Sequence, residues 1–236
     1  MPVAAISDIH GNLPALEAVL ADVEREGLEK IVVVGDTVSG PWPAEVFDLL
    51  DAKGAIHVRG NADRLALSGG EGEIGEWSAG HLGDRRTAVT AWPLTLQLAV
   101  DGLGRVLVCH ATPTSDEPIY TRVTPDEDVA FLFEGSDVDV VVCGHTHVQY
   151  DRTLSTGLRV VNPGSVGMPY EGRRGAFWAV LGPDVELRST EYDVDAAAEA
   201  MRERGAPNVE DQLIRYLLDP PDPRATTEYF ESLRAS

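Results

Sequence analysis

Short apolar runs alternate with helix-period segments along the first 60 residues. Residues 3–7 (VAAIS) form a continuous apolar run, which predicts a buried strand. The next segment places apolar side chains at the i, i+3, i+4, i+7 spacing of one helix face, namely Leu16, Val19, Leu20 and Val23. Asn12 is placed to cap this helix and Gly27 to end it.

The same alternation continues through two further strands. The run "KIVVVGD" predicts a second buried strand, residues 43–53 a second amphipathic helix, and "AIHV" a third strand. A β-α-β-α-β order predicts a parallel sheet joined by right-handed crossovers.

The pattern changes between residues 65 and 92, which are rich in Gly and Glu. We interpret this segment as a loop with helical turns, inserted at the rim of a site. Strand signals then return, because "TLQLAV" and "RVLVCH" flank a turn at residues 101–104 and predict a hairpin.

The second half of the chain predicts a second set of strands. After a helical piece at residues 125–134, "VDVVVCGH" reads as a buried strand, and "LRVVN", "AFWAVLG" and "VELRSTEY" as an antiparallel meander. Two sheets packed face to face, with helices outside, is the simplest assembly.

The C-terminal segment is polar and interrupted by proline. It predicts one good helix at residues 195–204 and a weaker one near 208–218. We therefore expect one domain over residues 1–192 and a helical extension over 193–236 that packs on it. The apolar face of Leu213, Ile214, Leu217 and Leu218 fits either internal packing or a homo-oligomer contact.

Composition narrows the class of protein. The chain has 236 residues, 43% hydrophobic and 25% charged, as in an ordinary soluble domain, and it lacks an apolar run long enough to span a membrane. No signal-peptide pattern precedes the first strand, so a cytoplasmic location is expected. The net charge of −20 disfavours long nucleic acids and anionic membranes as partners. Cys109 and Cys143 read as buried free thiols.

Five apolar runs lead directly into polar side chains able to bind a metal. These side chains are Asp8 and His10, Asp36, Asn61, His110, and His145 with His147. Ligands gather at the carboxyl ends of strands in α/β sheets. In extended backbone, residues i and i+2 project to one side, so each Asp-x-His or His-x-His pair is expected to face one cavity.

This donor set suits particular metals. Carboxylates with imidazoles favour ions of the Mn, Fe and Zn type, whereas all-oxygen sites favour Mg or Ca. Seven donors exceed the three protein ligands of a single catalytic zinc and suit two ions that share an Asp. Taken singly, each motif is also ordinary turn or cap chemistry. His57 and His81 lack such context and read as packing or surface residues.

The ordered set D-x-H, G-D, G-N, strand-end His and G-H-T-H resembles the calcineurin-like metallophosphoesterase superfamily, from Val3 to about Gly182. "SDIHGN", "CHATP" and "NPGSVG" are similar to its YfcE-like small phosphodiesterase branch. The resemblance implies an α/β fold, a four-layer α/β/β/α sandwich of two mixed sheets with flanking helices.

The resemblance also implies roles for the donors. Asp8, His10 and His147 would hold one divalent ion, Asn61, His110 and His145 a second, and Asp36 would bridge them. It implies manganese, with iron, zinc or nickel as alternatives. A hydroxide bridging the ions would attack the phosphorus of a small phosphate ester or nucleotide, with Asp36, Asn61 and His110 as the catalytic group.

Ala62 departs from the pattern of many superfamily members, which carry a histidine there that is thought to protonate the leaving oxygen. Without such an acid, good leaving groups are expected to react best, which favours an activated aryl or nucleotide diester. A phosphomonoesterase or nucleotidase, a dinucleoside-polyphosphate hydrolase and a non-catalytic scaffold stay as alternatives.

Substrate contacts are less defined by sequence. Asn12 either approaches the phosphate or only caps its helix, and Arg64 is a candidate to grip a phosphate oxygen. Asp63 either braces the loop and the ligands or is a solvated turn carboxylate. Arg173, Arg174 and Tyr170 are further candidates, the tyrosine for stacking on a ring or for packing.

Overall fold

The computed structural model describes residues 1–70 and 72–234, and the strands in this part of the chain form two sheets of five. The strands are β1 (Val3–Ile6), β2 (Lys30–Val33), β3 (Ile56–His57), β4 (Thr95–Val100), β5 (Gly104–Cys109), β6 (Val140–Val142), β7 (Tyr150–Thr153), β8 (Arg159–Asn162), β9 (Ala176–Leu181) and β10 (Val185–Thr190).

The helices flank these sheets and also build the rim of the molecule. They are α1 (Leu13–Arg25), α2 (Pro43–Ala52), α3 (Asn61–Ser68), α4 (Gly72–Leu82), α5 (Arg86–Ala91), α6 (Asp126–Leu132), α7 (Val194–Arg204), α8 (Arg215–Leu218) and α9 (Pro223–Arg234). A 3₁₀ turn, Gly83–Arg85, precedes α5, and a π-helical segment, Glu210–Ile214, precedes α8.

Both sheets are mixed. The first has the order β10-β9-β1-β2-β3, with β1, β2 and β3 parallel and β9 antiparallel to β1. The second has the order β4-β5-β6-β8-β7, with β5, β6 and β8 parallel and an antiparallel strand at each edge. The carboxyl ends of the parallel strands in each sheet therefore lie at one edge.

Three apolar layers hold the sheets and helices together. The outer face of the first sheet packs under α1 and α2, with residues such as Leu16 and Leu50 fully buried. Valine-rich inner faces meet between the sheets, and α6 covers the outer face of the second sheet through Val129. The predicted four-layer α/β/β/α sandwich is confirmed.

The predicted antiparallel meander at the end of the domain is wrong. β8 ("LRVVN") lies in the second sheet, between β6 and β7, whereas β9 and β10 form a hairpin in the first sheet. β8 and β9 are both mainly apolar and buried, and local periodicity does not reveal which sheet a buried strand joins. The edge strand β7 escaped prediction because its sequence, YDRT, is mostly polar.

The rim insertion is more ordered than the sequence suggests. Within residues 65–92, the described part is mostly helical, from the end of α3 through α4 and α5, rather than a loop with helical turns. Ile74, Ala79 and Leu82 in α4 are buried, so tertiary packing outweighs the low helix propensity of the glycines.

The C-terminal extension packs on this insertion. Ile74 of α4 shares an apolar cluster with Met201 of α7 and with Val209 and Leu213. The apolar face of this segment packs inside the chain, because Leu213, Ile214 and Leu217 are buried. Of the two alternatives from the sequence, this is internal packing and not an oligomer contact. We did not predict the helix α9, because its sequence is largely polar and follows two prolines.

Two further observations concern the cysteines and the lengths of the helices. Cys109 and Cys143 are buried and unpaired, as expected. Among residues 1–70 and 72–234, each helix falls short of the length and apolar character that crossing a bilayer requires.

His57 provides a pH-dependent test of the fold away from the polar strand ends. Its ring stacks on Trp92 at 4.3 Å between centroids, and its buried Nδ1 has no hydrogen-bond partner. Burial lowers the pKa of His57 to about 4. The unfolded chain therefore binds a proton at this position below about pH 6.5, whereas the folded chain binds it only near pH 4.

We expect the free energy of unfolding to fall as pH drops from about 6.5 to about 4. His57→Phe keeps the stacked ring without the titration and should reduce this loss by about 1–3 kcal/mol, at about 1.4 kcal/mol per pKa unit. Urea unfolding at several pH values measures it. His81→Phe is the matched control, since the exposed His81 ring also stacks on a tryptophan, Trp77. Equal pH slopes in wild type and His57→Phe would contradict the assignment.

Candidate metal centre

The loops that follow β1 and β2 are hydrogen-bonded to each other at the edge of the first sheet. The amide of Asp8 donates to the carbonyl of Gly35 at 3.0 Å, and the amide of His10 donates to the carbonyl of Asp36 at 3.0 Å. These bonds bring the Asp-x-His and Gly-Asp motifs side by side, although 26 residues separate Asp36 from His10 in the sequence.

The backbone at these motifs is left-handed, not extended. Among the described non-glycine residues, positive φ angles occur at one position outside the motifs, Asn208, and at five donors: Asp8 (53°), His10 (48°), Asp36 (51°), His145 (71°) and His147 (57°). Our argument from extended backbone is therefore wrong, although the side chains still converge. Such conformations cost of order 1–3 kcal/mol each and cluster at functional sites.

One group of donors comes from the β1 loop and the His-x-His loop. His147 Nε2 lies 3.1 Å from Asp8 Oδ1, and the Nε2 atoms of His10 and His147 are 3.3 Å apart. One ligand atom from each of these three residues falls within 4.8 Å of the others. The geometry is that of a three-ligand metal site.

A second group lies beside the first. It consists of Asp36, His110 and His145, whose ligand atoms also lie within 4.8 Å of one another. His110 Nε2 is 3.3 Å from Asp36 Oδ2 and 3.0 Å from the Oδ1 of Asn61. The Asn61 amide, at the start of α3, therefore adjoins this second group.

Asp36 lies between the two groups. Its Oδ2 is 3.3 Å from His110 Nε2 and 3.9 Å from Nε2 of His10, which belongs to the first group. The amide of Ala62 donates to the other carboxylate oxygen at 2.8 Å and fixes its orientation. The carboxylate of Asp36 therefore borders both donor groups, and its role as a bridging ligand stays a prediction.

Backbone carbonyls orient three of the imidazoles. His110 and His147 donate from Nδ1 to the carbonyls of Val34 (2.8 Å) and Met168 (2.7 Å), which directs Nε2 of each into the centre. His145 instead donates from Nε2 to the carbonyl of Glu117 at 3.1 Å, leaving its Nδ1 as the ligand atom. Such outer bonds fix the tautomer of metal-binding histidines.

The pKa values of the donor side chains shift in different directions. Burial, reinforced by His147, lowers the pKa of His10 to about 4, and burial with His110 lowers that of His145 to about 4. Burial also opposes a charge on His110, but the Asp36 carboxylate outweighs it and raises the pKa of His110 to about 10. Burial by itself would raise the pKa of Asp36, but the neighbouring imidazoles, above all that of His110, outweigh burial and hold this pKa below its usual range.

The residues fit divalent metal ions. Asp8 and Asp36 are buried carboxylates that lie beside each other and beside the imidazoles of the centre, and buried charges persist in proteins when they are paired or coordinate metals. Each group supplies one carboxylate and two imidazoles, the donor set expected for ions of the Mn, Fe or Zn type.

The glycines of the motifs have a steric role. A Cβ at Gly60 would lie 2.0 Å from Asp36 Oδ1, and one at Gly144 would lie 2.1 Å from Ser7 Oγ and 2.5 Å from Asp8 Oδ2. A Cβ at Gly35, where φ is also positive (93°), would lie 2.6 Å from His110 Nδ1. The Gly before Asp, Asn or His in each motif therefore leaves room for a donor from another strand.

Asp63 is a buried brace and not a solvated turn carboxylate. One oxygen accepts from the amides of Thr37 (2.8 Å) and Val38 (2.9 Å), and the other from the amide of Gly60 at 3.1 Å. These bonds tie the loop after Asp36 to the start of α3. Burial and the Asp36 charge raise the pKa of Asp63 to about 7 despite the three amides.

Asn12 and Arg64, the two predicted substrate contacts, are both engaged within the protein. Asn12 is buried; its Oδ1 accepts from the amide of Ala15, and its Nδ2 donates to the carbonyl of Gly167 at 3.0 Å. This favours the capping alternative. The guanidinium of Arg64 donates from Nε and Nη2 to the two carboxylate oxygens of Asp116, each at 2.9 Å. The contact of Arg64 with substrate stays a prediction.

The other three candidates for substrate contact, two arginines and a tyrosine, all contact residues of the protein. Arg173 contacts Ser189 and the ring of Phe177, and Arg174 pairs with Asp195 at 3.1 Å, so both bind the protein's own residues. Tyr170 is in the centre: its ring stacks on His147 at 4.8 Å between centroids.

Sequence reasoning missed several supporting groups. Ser7 donates to Asp8 Oδ2 at 2.5 Å, and its position directly before Asp8 was the available signal. The carbonyls of Glu117 and Met168, which orient His145 and His147, carry no side-chain signal, because a backbone carbonyl is present at every residue.

Comparison with known proteins agrees with this geometry. The family model for the calcineurin-like phosphoesterase superfamily domain matches residues 1–182. The chain is 28% identical to an uncharacterized protein of Methanocaldococcus jannaschii, over 84% of this chain and 90% of that protein. It is 28% identical to the phosphodiesterase YfcE of Escherichia coli, over 76% of this chain and 86% of YfcE.

A solved structure extends the likeness to most of the fold. The metallophosphoesterase from Sphaerobacter thermophilus superposes with a TM-score of 0.72 at 27% identity, covering 91% of this chain and 98% of that one. The family match spans the segments that carry all seven donors. The chain therefore belongs to the calcineurin-like phosphoesterase superfamily, and it is a metal-dependent hydrolase of phosphoric esters.

Proposed function

We propose that this chain is a two-metal phosphodiesterase that hydrolyses a small phosphate ester or nucleotide. The observation that carries the proposal is the position of Asp36, whose carboxylate lies within 4 Å of an imidazole from each donor group. The name of the phosphodiesterase YfcE supports the diester activity.

In this proposal, the donor residues are divided between two metal ions. Asp8, His10 and His147 would hold one ion, and Asn61, His110 and His145 the other, with Asp36 between them. Two divalent ions, when bound, supply an activated water and neutralise charge on phosphoryl oxygens. The backbone bonds of Ala62, Val34 and Met168 keep the ligands oriented without reorganisation during the reaction.

The residue at position 62 affects which class of phosphate ester the enzyme hydrolyses best. Ala62 is buried and offers only its amide, which is engaged by Asp36, so this position provides no proton for a leaving oxygen. General acid catalysis typically contributes about 10²–10⁴-fold. Esters with weakly basic leaving groups lose least without it, which favours activated aryl or nucleotide diesters over alkyl monoesters.

We propose manganese as the native metal, with iron, zinc or nickel as alternatives, because every donor is an oxygen or an imidazole nitrogen. Reconstitution with Mn²⁺ should give about two ions per chain by elemental analysis. The loaded protein should hydrolyse bis(p-nitrophenyl) phosphate with a higher kcat/KM than p-nitrophenyl phosphate. One ion per chain would contradict the two-metal assignment, and inactivity with Mn, Fe, Ni, Zn and Co would contradict the diesterase.

A further inference from the structure

A small pocket opens beside His10, at the border between the metal centre and the C-terminal extension. Its cavity volume is about 80 Å³. Its walls come from separate parts of the chain: Ile74 of α4, Met168 directly after the "NPGSVG" segment, and Val209, Gln212 and Leu213 of the extension. A group attached to a phosphate at the metal centre could therefore reach this pocket directly.

Apart from the imidazole of His10, the lining contains no ionisable side chain. The other lining residues carry neither a carboxylate nor a lysine or arginine cation. A polyphosphate chain needs cationic partners to offset its charge, and this pocket offers none from Lys or Arg. The aliphatic walls and the Met168 thioether instead favour an apolar group, which gains free energy when it leaves water.

Hydrogen bonds hold the walls in place relative to the metal ligands. The Trp77 indole of α4 donates to the carbonyl of Pro41 at 3.3 Å, and the Gly40 amide donates to Ser78 Oγ at 2.9 Å. The Asn208 side chain donates to Glu73 of α4 at 2.7 Å, which fixes the extension to the insertion. Hydrogen bonds thus tie the walls of the pocket to one another and to the loop that follows Asp36.

The π-helical segment Glu210–Ile214 shapes the outer wall. Asn208, whose φ is 55°, lies two residues before the start of this segment. The segment buries Leu213 in the apolar cluster and leaves Gln212 exposed at the mouth of the pocket. Short π-helical segments occur frequently at functional sites. The extension also lies beyond residues 1–182, so the family domain alone does not build this wall.

We propose that this pocket binds the ester substituent that stays on the phosphate, a single apolar ring, and that the C-terminal extension thereby determines substrate specificity. The inference rests on the proposed phosphodiesterase function. The cavity, at about 80 Å³, is smaller than the enclosed cavity of about 150 Å³ that is known to hold benzene, so it takes no more than one ring, inserted from the open side. Gln212 lines this pocket at an exposed position, where its amide is available to a polar atom on the ring's edge.

Ligand binding tests the pocket without any turnover. Calorimetry of the Mn²⁺-loaded protein should show phenylphosphonate binding at least about tenfold more tightly than methylphosphonate, a difference of about 1.4 kcal/mol. Gln212→Trp, at an exposed position, should block the mouth and remove most of this preference. Gln97→Trp, at an exposed position on β4, is the matched control and should keep it. Equal affinity of wild type for the two phosphonates would overturn the proposal.

Kinetics separate the pocket from the proposed function. Gln212→Trp should raise KM for bis(p-nitrophenyl) phosphate about tenfold, while KM for methyl p-nitrophenyl phosphate and both kcat values change less than about threefold. Val209→Phe, which fills the pocket from inside, should act in the same direction. A similar KM change for both esters would overturn the pocket. Ring-selective binding without hydrolysis would instead contradict the diesterase and leave the pocket supported.

Discussion

Asp36→Asn should lower kcat/KM for bis(p-nitrophenyl) phosphate by at least about 10³-fold, equivalent to about 4 kcal/mol of transition-state stabilisation. The side chains are nearly isosteric, and Asn keeps an oxygen to accept from the Ala62 amide. Asn lacks the negative charge that faces His110 at 3.3 Å and His10 at 3.9 Å. Both ions should therefore bind more weakly, because each donor group borders this carboxylate.

The measurement pairs steady-state kinetics with metal content at a fixed Mn²⁺ concentration. Asp22→Asn is the matched control, since Asp22 is a largely buried carboxylate on α1 that accepts from the Thr190 hydroxyl, away from the donors. That variant should retain activity within about threefold. An Asp36→Asn protein with wild-type activity would exclude Asp36 from the reaction. Loss of activity with an altered circular dichroism spectrum would indicate misfolding instead.

Gly144→Ala should disrupt the first donor group and lower activity at least about 10²-fold. The new Cβ would lie 2.1 Å from Ser7 Oγ and 2.5 Å from Asp8 Oδ2, closer than real Cβ contacts allow. Gly144 does not have positive φ, so alanine is permitted by the backbone and the clash is the main effect. Asp8 must then move, and with it the contact to His147 at 3.1 Å.

The metal content of Gly144→Ala should fall below two ions per chain, because the Asp8 group loses its carboxylate geometry. Gly80→Ala is the matched control: Gly80 lies in α4, and a Cβ added there would meet no described atom within 4 Å outside its own helix backbone and chain neighbours. Alanine there should leave activity unchanged and stabilise the helix by about 0.5–1 kcal/mol. Full metal content in Gly144→Ala would show that the close packing against Asp8 is dispensable.

The parallel strands and their polar ends were predictable because the signals are local. Buried strands read as continuous apolar runs, and the donors follow those runs within a few residues, as at Asp8 and Asp36. The glycine before Asp36, Asn61 and His145 was visible as well, but its steric reason was not. That reason is an atom from a distant strand, such as Asp36 Oδ1 beside Gly60.

Other features depended on contacts that no local pattern reports. The rim insertion is rich in glycine, yet α4 forms because Ile74 and Leu82 find buried partners. The direction in which three of the four candidate ligand histidines point is set by backbone carbonyls, such as that of Glu117 for His145. The burial of Asp63 likewise depends on two loops meeting.

The sequence by itself determined the strand-end donor set, the kind of ion it suits and the superfamily it resembles, because these are properties of residue type and short spacing. Only the tertiary structure decided that Asp36 lies between two groups, that five donors adopt left-handed backbone, and that the extension walls a pocket beside His10. Those outcomes join residues far apart in the chain. Their physical cause is the packing of two sheets face to face and of the extension on the insertion, which no window of sequence contains.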